Sequence, residues 1–267
     1  MELREFWKSD FRADVHRKMW DDAAEDYVQR PLPNPQRDEF LQRMLRHGCL
    51  HKDARVLDIG CGAGAYTLAL APYIGQGLGC DLSEKMIRGA SERAASMGLD
   101  NVSFTCLDWH RADPARLGWE GAFDVVFAHH TPAVSDYDTF DKMVRCAGKT
   151  CFFQVNTRRW DAVLNAALER IGIYPAPQER DNTVAWAFAY LWQHGLEPNI
   201  AYHKETWIAE KPLEKQFRWV LQRAKLRREI TPEEADILMR YLAGLAENGT
   251  VRETITTTVV TMDWDSQ

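Results

Sequence analysis

Asp58, Gly60, Gly62 and Gly64 stand at alternate positions where a short apolar run ends, in the stretch Val56-Leu-Asp-Ile-Gly-Cys-Gly-Ala-Gly64. Glycines at that spacing let a chain turn sharply from strand to helix with positive φ, and they let a ligand approach the backbone without meeting a Cβ. A dinucleotide fingerprint reads G-x-G-x-x-G and aims a helix N-terminus at a pyrophosphate. Here the third glycine arrives one residue early and an acid precedes the first. That pattern suits a cationic nucleoside without phosphate; a tight strand-to-helix turn in some other α/β protein is the plainer alternative. A second acid, Asp81, ends the short run Leu78-Gly-Cys-Asp81, roughly 20 residues beyond the glycines, where a carboxylate is placed to accept both hydroxyls of a ribose. Helix capping competes for that region, but Ser83 is the better cap because Asp81 lies two residues earlier.

Asp58, Gly60, Gly62 and Gly64 resemble motif I of the class I S-adenosylmethionine-dependent methyltransferases. The resemblance implies that backbone at Gly60, Cys61, Gly62 and Gly64 approaches the methionyl part and ribose of that cofactor, with Asp58 near its ammonium, directly or through water. It places Asp81 and Leu82 on the ribose and Met86 beside the adenine, though a plain core methionine fits equally. It gives Asp108, at the end of a third strand, the adenine amino group, with Trp109 either stacking on the base or packing in the core. Trp20-Asp-Asp-Ala-Ala-Glu-Asp-Tyr27 resembles the W-x-x-x-A-x-x-Y cap that precedes motif I in small-molecule methyltransferases. That implies a Tyr27 facing the reaction chamber, with Arg17 or Arg30 near it; simple packing of Trp20, Ala24 and Tyr27 at i, i+4, i+7 is the other reading. The cofactor implied is S-adenosylmethionine, and the product S-adenosylhomocysteine.

What receives the methyl group bears on His129-His130-Thr131-Pro132, which follows the strand Phe123-Asp-Val-Val-Phe-Ala. Enzymes that methylate nucleobase or glutamine amino groups often carry Asn/Asp-Pro-Pro-Tyr/Phe there, and its absence disfavours that chemistry. A histidine near neutral pH can take a proton from a hydroxyl, thiol or ammonium. His130 is the candidate base, with Thr131 beside the acceptor. The alternative has His129 lending backbone to the cofactor and His130 a hydrogen bond within the loop. Strand neighbours point to opposite faces, so the two histidines are not expected to hold a metal. Arg158 and Arg159, at the tip of a fifth strand, offer a planar fork to an acceptor carboxylate, or pair with Asp161 or Glu169 at the surface.

Helices are expected at 12–28 and 35–47, with Pro31, Pro33 and Pro35 bending the chain between them. From there strand and helix alternate: a helix at 66–73, strands at 102–107 and 123–128, a capping box at Ser135-Asp-Tyr-Asp138 opening a helix to 147, a strand at 150–156, and helices at about 160–171 and 182–194. Residues 200–210 and 253–264 read as strands, the latter with Thr254, Thr256 and Thr258 on an exposed face. Two helices lie between them, at about 212–227 and 232–247, the second opened by Thr231-Pro-Glu-Glu234. The expected fold is therefore α/β, a Rossmann-like, mostly parallel seven-stranded sheet with helices on both faces. The family's order would be 3-2-1-4-5-7-6, with the last strands antiparallel. One domain over 1–267 is expected, with an N-terminal helical cap at 1–50 and a helical lid at 211–250. A structural flap or a dimer contact is the alternative for the latter.

The chain has 267 residues, 45% of them apolar, enough for one good-sized core. No apolar stretch approaches the roughly 18 residues of a membrane span, and the first eight residues lack a signal-peptide core, so a cytoplasmic, membrane-free protein is expected. Six cysteines show no C-x-x-C pair and read as reduced core residues. A net charge of −6 disfavours a nucleic-acid partner, whose enzymes usually display a basic surface. The expected function is methyl transfer to a small molecule, with carboxylate-bearing compounds among the candidates. The rivals are an RNA or protein methyltransferase and a non-catalytic protein that binds the cofactor; an NAD-linked dehydrogenase comes last on glycine spacing. Oligomeric state is left open.

Overall fold

The computed structural model describes residues 2–174 and 181–266. Its strands are β1 Arg55–Ile59, β2 Gln76–Asp81, β3 Val102–Cys106, β4 Phe123–His129, β5 Ala147–Asp161, β6 Asn199–Pro212 and β7 Thr250–Asp265. They form one sheet in the order β3-β2-β1-β4-β5-β7-β6, parallel except where β7 runs antiparallel to both β5 and β6. The helices are α1 Leu3–Phe6, α2 Ala13–Val28, α3 Glu39–His47, α4 Ala65–Leu70, α5 Glu84–Ser96, α6 Pro114–Leu117, α7 Tyr137–Cys146, α8 Ala162–Glu169, α9 Asp181–Gln193, α10 Leu213–Lys225 and α11 Pro232–Leu245. The short α1 and α6 carry too few residues for a periodic signal in the sequence.

Side-chain alternation along the strands divides the interior. Leu57 and Ile59 of β1 and Val126 and Ala128 of β4 join one core with Phe140, Phe153 and Trp264. Val56, Val125 and Phe127, from the same strands, face the opposite layer with Phe40, Met44 and Phe152. The long β6–β7 ribbon continues past the tips of the parallel strands, and there α8, α10 and α11 build a further core around Leu164, Val220, Leu238, Leu242 and Val251. In β7 the inward positions Val251, Glu253, Ile255 and Thr257 are buried while Thr254 and Thr256 are exposed.

Of the boundaries that differ from expectation, three have a visible cause. The capping box expected at Ser135 and Asp138 sits one residue on: Asp136 accepts from Thr139 N, and the Thr139 hydroxyl answers the cap backbone. Asp138 instead meets Arg4 at 2.6 Å. β5 extends to Asp161, so α8 begins later than the expected 160; pairing with β7 resumes after a bulge between Thr157 and Trp160, where Arg158 takes φ +50°. The helix expected from residue 35 starts at Glu39, because the Asp38 carboxylate caps Leu41 N at 2.9 Å. The capping box at Thr231 and Glu234 stands where its spacing puts it.

Candidate active site

The loop between β1 and α4 holds Gly60, Gly62 and Gly64 at φ +70°, +53° and +73°, the left-handed region that a side chain disfavours. Gly60 N and Cys61 N donate to Cys80 O at 2.8 and 3.0 Å, which ties the loop to the tip of β2. A Cβ on Gly60 would collide with the Thr131 side chain, and one on Gly64 would meet the Phe104 ring at 2.6 Å. A Cβ on Gly62 would meet nothing nearer than Met86 Sδ at 4.0 Å, so the loop is packed at both ends and open in the middle. That opening, beside buried carboxylates, fits a compact cationic ligand laid against backbone.

Asp58 is 3% exposed, and its Oδ2 accepts from Thr67 Oγ1 of α4 at 2.7 Å. Burial, with the charge of Asp81 nearby, raises its carboxyl to about 7. Asp81 accepts from Gly62 N and from Ser83 N, each at 2.9 Å, and burial raises its pKa as well. An ionised carboxylate offers about four acceptor sites, so two main-chain donors leave room for ribose hydroxyls. Ser83 does the capping: its Oγ accepts from Met86 N at 3.2 Å and donates to Asp21 of α2 at 2.5 Å. Leu82, between the two, is half-buried.

Asp108 opens the turn after β3, its Oδ1 accepting from His110 N at 3.1 Å. Trp109 is not a stacking platform. Its ring is 2% exposed inside the sheet's main core, and its Nε1–H donates to Thr139 O at 3.0 Å, a satisfied core tryptophan. Met86 is buried with Ala24 and Ala63, and Trp20, Tyr27 and Val28 of α2 pack against them. It thus lies under α2 beside the glycine loop.

At the tip of β4, His129 is walled in by Tyr66 at 3.8 Å, His130 at 4.2 Å and Phe40 at 4.8 Å between ring centroids. Burial and the charge of His130 push its pKa well below the usual range, so His129 stays neutral. His130 takes φ +50° with its N–H donating to Gln154 O at 2.9 Å, a strained backbone held by β5. Thr131 presses on Gly60 and accepts from Ala133 N at 3.1 Å. Two further polar residues escaped the sequence reading. Tyr66 donates to Asp38 at 2.9 Å, and Asn156 of β5 keeps a buried Oδ1 with no hydrogen-bond partner among the described residues.

Of the two arginines at the tip of β5, neither fork is idle. Arg159 makes bidentate bonds to Asp161 at 2.6 and 2.7 Å, the pairing its spacing left open but with a buried carboxylate rather than at the surface, so its fork is not offered to an acceptor. Arg158 is exposed and pairs with Asp181 of α9 at 2.9 Å, a partner that neither Asp161 nor Glu169 anticipated. Tyr27 is half-buried, crossing Trp20 edge-on at 5.7 Å and carrying the Arg30 guanidinium 3.8 Å from its ring centroid. The sequence reading also missed Glu253, 2% exposed, which accepts from Leu164 N at 2.7 Å and Gln216 Nε2 at 3.1 Å. The available signal was an acid at an inward position of an alternating strand, between Val251 and Ile255.

A methyltransferase-domain family profile matches residues 50–158. The chain is 39% identical over 66 residues to the uncharacterized methyltransferase YcgJ of Bacillus subtilis, covering 25% of this chain and 26% of the relative. It is 30% identical over 155 residues to a ubiquinone biosynthesis O-methyltransferase of Methylococcus capsulatus, 57% of this chain and 62% of the relative. It is 39% identical over 75 residues to the 23S rRNA (uracil(1939)-C(5))-methyltransferase RlmD of Shewanella amazonensis, 28% of this chain and 17% of the relative. The chain thus spans less than two thirds of each of these curated relatives. The crystal structure of YcgJ superposes with a TM-score of 0.52 at 17% identity, covering 85% of this chain and 97% of that one. Residues 50–158 thus match a methyltransferase-domain family, and the chain shares the fold of the YcgJ crystal structure, built on a seven-stranded sheet in the order β3-β2-β1-β4-β5-β7-β6.

Proposed function

We propose that the protein transfers a methyl group from S-adenosylmethionine to a small-molecule acceptor. The observation that carries this is the glycine loop left open at Gly62, with the carboxylates of Asp58, Asp81 and Asp108 at the tips of three neighbouring strands. Ligands of open α/β sheets bind outside those carboxyl ends. Asp58 would face the aminoacyl ammonium, Asp81 with Leu82 the ribose, and Asp108 the adenine, while backbone at Gly60, Cys61 and Gly62 lies along the chain between them. When bound, the cofactor supplies an electrophilic methyl on a sulfonium.

The protein's own work is then alignment, dryness and one proton. His130 takes the proton of an acceptor hydroxyl, thiol or ammonium. Neutral His129 adds no charge that would repel a sulfonium. Tyr27 on α2 closes the chamber from the cap, and α10 with α11 from the ribbon. α2 and α10 are joined by Lys215 with Asp26 at 2.6 Å and by Gln222 with Asp22 at 3.2 Å.

The RlmD relative favours an RNA acceptor, and the net charge of −6 opposes it, since a polyanion is usually held on a basic surface. Calorimetry with S-adenosylhomocysteine and NAD tests the cofactor: binding of the first alone is expected, and binding of NAD alone would end the proposal. Radiolabelled cofactor offered to a metabolite extract and to 23S rRNA then separates the acceptors.

A further inference from the structure

Lys211, at the end of β6, lies within electrostatic range of Arg159 and Arg30, and each of the three cations lies against an aromatic ring. Lys211 Nζ is 4.7 Å from the Trp219 centroid, Arg159 Cζ 5.4 Å from that of Trp207, and Arg30 Cζ 3.8 Å from that of Tyr27. The register sets Lys211 opposite Val251 and Trp207 opposite Ile255, two buried positions of β7 that flank Glu253. Paired residues share a face, so the ammonium lies on the inner side of the ribbon.

The carboxylates around it are committed. Both oxygens of Asp161 hold Arg159, and those of Glu253 hold Leu164 N and Gln216. Lys211 is half-buried, makes no ion pair among the described residues, and lies against the Trp219 ring. Burial lowers its pKa, with Arg159 and Arg30 acting in the same direction and Glu253 and Asp161 against it. Three cations against two carboxylates leave one positive charge in excess, on a partly desolvated ammonium with three donors.

We propose that Lys211, with Arg30 at the rim, binds an oxyanion, carboxylate or phosphate, carried by the methyl acceptor. This rests on the methyltransferase reading and deepens it. Tyr27, whose ring carries Arg30, also packs against the cluster of Ala63 and Met86 at the glycine loop, so the anion site adjoins the cofactor site. Arg159 acts here as a fixed wall: Asp161 takes its fork, and Lys211 is the cation left to meet a ligand.

The test is calorimetric titration of benzoate and of phenyl phosphate into the full-length protein saturated with S-adenosylhomocysteine. At least one anion is expected to bind, tenfold or more weakly to Lys211→Met, with most affinity retained by Lys211→Arg. Lys204→Met, an exposed β6 residue of opposite parity, should bind the anion like the parent, and cofactor-product affinity should be the same in all four proteins. Tighter benzoate assigns a carboxylate and tighter phenyl phosphate a phosphate. Equal affinity in Lys211→Met and parent, or binding of neither anion to the parent, overturns the proposal. Should S-adenosylhomocysteine fail to bind the parent, the methyltransferase reading falls instead. The anion titration is then judged by the same loss in Lys211→Met without cofactor product.

Discussion

A carboxyl group shut away from water holds its proton longer, and Asp58 is such a group. Between 3.8 and about 7 the folded protein keeps a proton that the unfolded chain has lost. Stability of the cofactor-free protein therefore falls as pH rises across that window, and Asp58→Asn should flatten the slope measured by thermal melts at stepped pH. An ammonium beside Asp58 would draw its pKa down, so cofactor binding near pH 6.5 should release protons. Calorimetry in two buffers of different ionisation enthalpy reads that release, and its absence would remove Asp58 as the ammonium's partner. Asp81→Ala should weaken cofactor affinity by about 1–3 kcal/mol through lost charge-assisted hydrogen bonds. His130→Ala should slow turnover and leave cofactor affinity alone; full activity would show that His130 is no base.

At the scale of elements, α2 is held to α5 by shape as well as by polar contacts. α2 packs on α5 so closely that a Cβ on Gly89 would strike Val28 Cγ2. Asp21 of the same helix receives the Ser83 hydroxyl, and Arg30 O accepts from Arg93 Nη2 at 2.9 Å. Gly89→Ala gains helix propensity of up to about 1 kcal/mol, but overpacking costs about 1–3 kcal/mol. The net expectation is a lower melting temperature, restored when Val28→Ala is added; an unchanged melt in the single variant would show that α2 shifts freely. The caps themselves illustrate what a sequence discloses at this scale. Thr231 and Glu234 satisfy each other within one turn, so spacing suffices to find them. Ser135 and Asp138 had the right spacing too, yet Asp138 was drawn to Arg4 from a distant helix and Asp136 took the cap.

For the whole molecule, the half built on β1 and β4 and the ribbon with α8, α10 and α11 have separate cores on one continuous sheet. Leu238 and Leu242 are fully buried in the second of these. Leu238→Ala should cost about 2–5 kcal/mol and reduce methyl transfer more than binding of S-adenosylhomocysteine. Melting curves with calorimetry on the same preparation check both halves of that statement. A proportional loss of the two would mean that the cores stand or fall together.

The residues from Val56 to Asp81 were legible in sequence because what they do is local. Positive φ demands glycine, and an apolar run of five or six residues ending in a turn makes a strand tip. The ordered alternation of strand and helix, with the resemblance at motif I, was likewise enough for the sheet order. Tertiary structure alone decided which long-range partner each polar side chain found. Trp109 went to the core, Arg158 to Asp181, and Lys211 was left with a ring in place of a carboxylate. Backbone preferences act over a few neighbouring residues, whereas these pairings depend on a bulge in β5 and on a ribbon that brings residues 30, 159 and 211 into electrostatic range. Spacing along a chain carries no measure of that proximity.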